Sequence, residues 1–176
     1  MNRIAGIIDM DGFTIERKFY CKELGILELG KTEATSHIFD LGVNWTNLSK
    51  KDKTQCLFLI SNIHKLPFYT PIEDNPLPLE ELDNIVEDFY KNVKTSQRDI
   101  VAYKGGIFER DLLKKLKIPS INLEQFGCPR CIHLLDKLVW LETCNHHTSP
   151  NCYEHCAKIE VEAFGAWVRE ELSWDS

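Results

Sequence analysis

Ile4-Ala5-Gly6-Ile7-Ile8-Asp9-Met10-Asp11-Gly12 is the stretch on which the reading of the fold turns. The apolar run Ile4 to Ile8 reads as a buried strand that ends in acid. Alternate residues of a strand share a face, so Asp9 and Asp11 point the same way. Two carboxylates that close repel each other unless a cation lies between them. A strand-end pair therefore suits Mg²⁺ or Mn²⁺, which prefer oxygen ligands. Asp-x-Asp-Gly is also an ordinary turn sequence, and Asp11-Gly12 predicts a tight turn that opens an antiparallel meander.

Working outward, Phe19 to Leu29 alternates imperfectly through Phe19, Cys21, Leu24, Ile26, Leu27 and Leu29, and reads as a second strand. Ala34 to Leu41 is the third. Ser49 is a helix N-cap, followed at helical spacing by Cys56, Leu57, Leu59, Ile60 and Ile63. Pro67 to Pro78 reads as a loop, and Leu79 to Val93 as an amphipathic helix. Asp99 to Tyr103 is a short buried strand broken by Gly105-Gly106. A helix follows over Phe108 to Leu116, then a strand over Ser120 to Phe126. Leu134 to Thr143 reads as helical, and a last helix runs from Glu160 through Val161, Phe164, Val168 and Leu172. Three strands first, then strands alternating with helices, predict an α/β fold: a five-stranded mixed sheet with helices on both faces. One domain over residues 1–176 suffices, without repeats.

At 176 residues, with 43% hydrophobic and 27% charged residues, the chain reads as a globular protein and neither a disordered tail nor a fibre. Twenty-one basic residues against 27 acidic ones leave a formal charge of -6. A non-specific nucleic-acid coat is usually basic, so any nucleic acid is expected in a local groove or held through metal ions. No apolar run approaches the ~18 residues of a membrane span. The start is too short and too acidic for a signal peptide, so the expectation is an intracellular protein, cytoplasmic or nuclear, without a membrane partner. In a reducing compartment the seven cysteines read as thiols and metal ligands. Cys21 and Cys56 are expected to pack as small apolar residues.

Nine Cys and His crowd into residues 128–156. Structural zinc needs four soft or borderline ligands in a tetrahedron. Cys144-x-x-His147 is the compact two-ligand step, Cys128 the expected third ligand and Cys156 the fourth. Cys152 rivals Cys156; Cys131 and His146 are lesser rivals. Cys156 is preferred because it leaves His155 free. Such a clip would pin Leu134 to Thr143 against the sheet.

Two more features join the acidic pair. Glu109 follows Gly105-Gly106-Ile107-Phe108 in the first turn of a helix, and His155 stands five residues before Glu160. With these, the chain resembles the DEDDh exonuclease superfamily, of ribonuclease H-like fold. That family carries Asp-x-Glu on its first strand, an Asp after Asn-x-x-Phe, and a final His-x4-Asp. The counterparts here are Asp9 and Asp11, Glu109 after Phe108, and His155 with Glu160. Asp11 stands for a Glu, Glu109 and Glu160 for Asp, and Gly105 for the Asn. The resemblance implies two-metal phosphodiester hydrolysis on single-stranded RNA or DNA, with Mg²⁺ or Mn²⁺ on the acids and His155 as general base. The embedded zinc segment is similar to the domain of the Maelstrom proteins, whose zinc set is Glu-Cys-His-Cys. Matched to it, Cys128 takes the place of the Glu, followed by Cys144, His147 and Cys156. That likeness implies single-stranded RNA binding or cleavage.

Lys50, Lys51 and Lys53, and Lys114, Lys115 and Lys117, are basic clusters that could meet phosphates, and Lys104, just before Gly105-Gly106, is better placed because it is expected near the metal site. Tyr69, Trp45 and Phe68 are candidates to stack on bases. Trp140 and Trp167 are expected in the core. The expected activity is a metal-dependent nuclease, exonuclease-like or endonucleolytic. The alternative is a catalytically inactive, zinc-stabilised module that binds nucleic acid or a protein partner. The plainest option is a scaffold whose acids serve solubility.

Overall fold

The first strand runs further than its apolar start predicts. The computed structural model describes residues 3–172, and in it β1 spans Ile4–Ile15 and β2 spans Lys18–Glu28. Asp11-Gly12 is therefore inside a strand and not a turn. The turn falls at Glu16 and Arg17, whose φ values of 50° and 65° match the two-residue hairpin whose twist suits paired strands. The chain continues with β3 (Thr35–Asp40), α1 (Lys50–Asn62), β4 (Leu77–Pro78), α2 (Leu82–Val93), β5 (Ile100–Tyr103), α3 (Ile107–Lys115), β6 (Ser120–Asn122) and α4 (Ala157–Glu171).

The strands form one sheet in the order β4-β3-β2-β1-β5-β6. β1, β2 and β3 are an antiparallel meander, and β5 and β6 continue it in parallel beyond β1. The five expected strands are all present. The sixth, β4, is a two-residue pairing of the proline-rich loop with Phe39 and Asp40. The last expected strand stops early: Asn122 caps a 3-10 turn over Leu123–Phe126 by accepting from the N–H of Glu124. Leu134 to Thr143 is not a helix. Leu134, Leu135 and Leu138 reach the core from 3-10 turns. Val139 and Trp140, 84% and 79% exposed, break any continuous apolar stripe. Trp140 is thus outside the core, while Trp167 is buried as expected, and so are Cys21 and Cys56.

Side chains alternate across β1. Ile7 packs with α4, while Ile8 and Met10 pack with α2 and α3 on the other face. By the same alternation Asp9, Asp11 and Phe13 share the α4 face. α1 joins that face at the hairpin end, where Cys56 packs with Phe13 and Phe68.

The β1–β2 register slips once. Asp11 faces Glu23, Gly12 faces Cys21, and Lys22 is the extra residue of a bulge. Cys21 and Leu24 consequently lie in the same cluster beneath α2 and α3. Lys22 and Glu23, between them, both turn to the α4 face. Lys22, fully buried, donates from Nζ to the Phe68 carbonyl at 3.0 Å. Two residues on from Glu23, Gly25 lets α4 lie directly on the sheet. A Cβ there would stand 2.3 Å from the carbonyl oxygen of Ala157.

Candidate metal centres

The close approach at Gly25 brings the first turn of α4 over the middle of β1 and β2, and two groups of ligand atoms form there. In the first, Glu23, Cys144, His147 and Cys156 each offer one atom, all within 4.8 Å of one another. His147 Nε2 lies 3.0 Å from Glu23 Oε2, yet both are buried without a hydrogen bond, because they aim at a common point and not along a donor–acceptor line. Cys156 Sγ is 3.7 Å from the other Glu23 oxygen. Bonds of about 2.0–2.3 Å to a central ion place tetrahedral ligand atoms about 3–4 Å apart, which suits this spacing.

His147 is set for ligation by its other nitrogen. Nδ1 faces the backbone carbonyl of His64 at 2.5 Å. A carbonyl only accepts, so Nδ1 carries the proton and Nε2 presents its lone pair to the group. In the bare group the protons are shared among the ligands. Burial would push His147 down, but the neighbouring Cys152, Cys156 and Glu23 side chains hold it up at about 12, so the bare imidazole keeps a proton that a metal must displace from Nε2. The Cys144 thiol lowers Cys156 to about 6, and Cys144 is raised in return. Two thiols and an imidazole that hold one another's protons beside a carboxylate are a set from which a metal displaces those protons.

Glu23 fills the place expected for Cys128. The loop after β6 carries Cys128 into the apolar cluster under α4, where its Sγ lies 3.6 Å from the Pro129 carbonyl. Cys131 is likewise buried, with Sγ 3.9 Å from the Tyr153 carbonyl. Cys152 is a neighbour of the group: its Sγ lies 3.3 Å from the His64 carbonyl.

The second group joins Asp9, Asp11 and Glu160, again with ligand atoms within 4.8 Å of one another. Burial pushes all three carboxyls well above the usual range. The charges of Glu109 and Glu23 add to this at Asp9, and those of Asp9, Glu23 and Glu109 at Asp11. Asp9 and Glu160 lie close enough to share a proton, which favours the neutral form of one of them while no cation is between them. Glu109, 4% exposed, reaches β1 from the first turn of α3. Its Oε1 accepts from the Met10 N–H at 2.9 Å, and its Oε2 is buried without a partner. Asp9 Oδ2 and Asp11 Oδ2 are also buried and unpartnered. Glu109 folds back over Gly106, where a Cβ would stand 1.6 Å from its Oε2. Four carboxylates with three orphaned oxygens fit hard divalent cations such as Mg²⁺ or Mn²⁺.

The other expected site residues stand apart from the acids. His155 immediately precedes the α4 cap residue Cys156, half-buried, and burial lowers it, so its ring is neutral at neutral pH. It is not one of the residues whose ligand atoms converge with Asp9. Lys104 Nζ lies 3.9 Å from Glu124. Lys50 and Lys51 are exposed in the first turn of α1. Of the candidate stacking residues, Phe68 is buried and Tyr69 is exposed. No described helix is long and apolar enough to cross a membrane.

Sequence reasoning missed Glu23 and His64. The signal for Glu23 is the pair of charged residues Lys22-Glu23 inside an alternating strand. For His64, burial in the fold is the only signal. The sequence matches no protein-family model and no curated protein.

Proposed function

We propose that the chain is a metal-dependent nuclease on a ribonuclease H-like fold, hydrolysing phosphodiester bonds of single-stranded RNA or DNA. One observation carries this reading: Asp9, Asp11 and Glu160 converge from β1 and α4, with Glu109 beside them and buried oxygens left unpartnered. The mixed sheet with helices on both faces agrees with the fold that the DEDDh resemblance implies. In this reading Glu23, Cys144, His147 and Cys156 hold structural zinc, which fastens residues 144–156 to β2 and α4.

The acids would hold Mg²⁺ or Mn²⁺, which when bound polarises a phosphoryl oxygen and lowers the pKa of a coordinated water. The protein's own contribution is placement. Asp9 and Asp11 are fixed by strand pairing on both sides of the Asp11–Gly12 register shift, and Glu160 by the helix turn that begins at Cys156. Glu109 is steadied by the Met10 N–H. In this reading His155, whose ring burial keeps neutral, would be the general base that the DEDDh resemblance implies. Lys50 and Lys51 are exposed at the start of α1, where backbone phosphates could meet them, while Lys104 is mostly covered and lies beside Glu124.

A catalytically inactive binding module is the second reading, favoured by the place of His155 outside the acidic group. The deciding experiment is cleavage of end-labelled single-stranded RNA and DNA with Mg²⁺ or Mn²⁺, beside an Asp9→Ala/Asp11→Ala variant. Cleavage that the double substitution abolishes supports the nuclease. No cleavage, or cleavage that persists in the variant, leaves the zinc-stabilised module.

A further inference from the structure

His64 follows α1 and is 2% exposed. Its Nδ1 accepts from the Leu66 N–H at 3.0 Å, so the proton is on Nε2, which donates to the Gly12 carbonyl at 3.0 Å. The ring meets Phe13 edge-on, with centroids 4.9 Å apart. The side chain of His64 is thus fastened to β1 at the residue after Asp11.

The backbone of the same residue faces the other way. Its carbonyl receives His147 Nδ1 and lies 3.3 Å from Cys152 Sγ. The next residue, Lys65, accepts from the Thr148 N–H at 2.7 Å and has a φ of 56°. The contacts close a ring. Gly12 leads to the His64 side chain, the His64 carbonyl to His147, and His147 to Glu23. Glu23 faces Asp11, the residue before Gly12, across the strand pair. A shift of His147 has two routes to Asp11, one through the register at Glu23 and one through His64.

We propose that His64 is a positioning residue that couples occupancy of the zinc group to the placement of Asp11. The inference rests on the metal reading of the two groups given above and adds the link between them. Zinc on Nε2 would fix the His147 ring, whose Nδ1–H would then hold the His64 carbonyl in place. The ring of His64 then holds the Gly12 carbonyl, and with it the strand segment that presents Asp11. Partners that orient a metal ligand from outside affect metal affinity by about 10–100-fold, so the effect is large enough to measure.

The test compares zinc-loaded and zinc-stripped full chain by hydrogen–deuterium exchange over residues 9–13. Manganese affinity is measured alongside by electron paramagnetic resonance. In the wild type, zinc is expected to slow exchange over residues 9–13 by about tenfold. His64→Asn keeps an acceptor for the Leu66 N–H but falls short of Gly12. It is expected to lose the zinc effect and to bind Mn²⁺ about tenfold more weakly. His64→Gln can reach the Gly12 carbonyl with a donor and is expected to restore most of both. Cys144→Ser, with His64 intact, is expected to exchange at the zinc-stripped rate whether or not zinc is present.

Zinc that slows exchange equally in wild type and His64→Asn would overturn the proposal and leave His64 a packed core residue. The same holds if His64→Gln behaves like His64→Asn while both stay folded by circular dichroism. If wild type takes zinc but no Mn²⁺, the nuclease reading fails, and the exchange arm still decides the role of His64. A wild-type chain that takes no zinc at all overturns the coupling and leaves the nuclease reading to the cleavage assay.

Discussion

Cys156 and Glu160 stand one helical turn apart, joined by the 2.9 Å bond from the Glu160 N–H to the Cys156 carbonyl, yet their side chains serve different groups. Cys156 reaches Glu23, Cys144 and His147, while Glu160 reaches Asp9 and Asp11. The opposite end of each group is a facing pair, Glu23 and Asp11, across β1 and β2. The two candidate centres therefore share a helix turn and a strand pair, and changes in one are expected to be felt in the other.

Glu23 is expected to be a zinc ligand and Cys128 is not. Glu23→Ala should lower zinc affinity by at least about tenfold in competition with a chromogenic chelator. Cys128→Ser should keep a full equivalent of zinc and cost about 1–2 kcal/mol of stability, from placing a hydroxyl in an apolar cluster. Full zinc affinity in Glu23→Ala would remove Glu23 from the set.

Zinc removal should loosen residues 128–156 before the sheet. Among the described residues this segment has 3-10 turns and no α-helix or strand before α4, so few backbone ladders hold it. Chelation is expected to lower the melting temperature and to open the Arg130 and Lys137 bonds to trypsin. Equal cleavage with and without chelator would contradict this.

The acids make a pH-dependent prediction with a definite sign. Asp9, Asp11 and Glu160 are raised in the fold, so above the usual carboxyl range the folded chain holds protons that the unfolded chain has lost. Without divalent cations, stability from these groups is full at acid pH and falls as pH rises through their raised values. Mn²⁺ takes over from the protons, so its gain in melting temperature should be larger at pH 8 than at about pH 5. Asp9→Asn and Glu160→Gln should flatten both effects. An Asp9→Asn variant with the wild-type response to Mn²⁺ would rule out the cation group.

Lys22 predicts an opposite trend. Burial lowers it to about 8 from the usual 10.5. Between those values the unfolded chain binds the proton and the folded chain does not, so stability from this group rises with pH over that window. Lys22→Met removes the trend. The stability of the Met variant relative to wild type, read from urea unfolding of zinc-loaded protein, should therefore shrink by roughly 3 kcal/mol from pH 7 to pH 10.5. A constant difference would mean that Lys22 is not desolvated in the folded chain.

Gly25→Ala should damage both centres at once. The added Cβ would stand 2.3 Å from the Ala157 carbonyl, and α4 must move off the sheet to admit it. The expected loss is about 1–3 kcal/mol of stability, with weaker zinc and Mn²⁺ binding together. Loss of one metal without the other would separate what the shared helix turn joins.

β1 and β5 were legible because apolar runs of four or more residues bounded by Gly or acid leave few alternatives, and β2 because it alternates through Phe19, Cys21 and Leu24; the meander of the first three strands was expected, but the placing of β5 and β6 beyond β1 is set by tertiary packing. The ligand trio Cys144, His147 and Cys156 was legible from spacing and crowding. Glu23 was not, because a bulge turns two consecutive side chains to one face, and simple alternation assigns them to opposite faces. The misread turn at Asp11-Gly12 has the same origin: a chain that can turn there is held extended by pairing with β2. Leu134 to Thr143 looked helical by composition. Its leucines reach the core from single turns, a tertiary choice that local propensity does not encode. Cys128 and Cys131 show the limit of counting thiols, since burial in an apolar cluster satisfies a cysteine as well as a metal does.

Because α4 supplies a side chain to both groups, timing during synthesis matters. β1 and β2 leave the ribosome early and can pair at once, setting Asp9, Asp11 and Glu23 side by side as three like charges with nothing to neutralise them. Cys156 and Glu160 follow only after some 130 further residues. The docking of the last helix is thus the single event that completes both centres, and a chain stalled before it presents a bare acidic hairpin that holds neither metal.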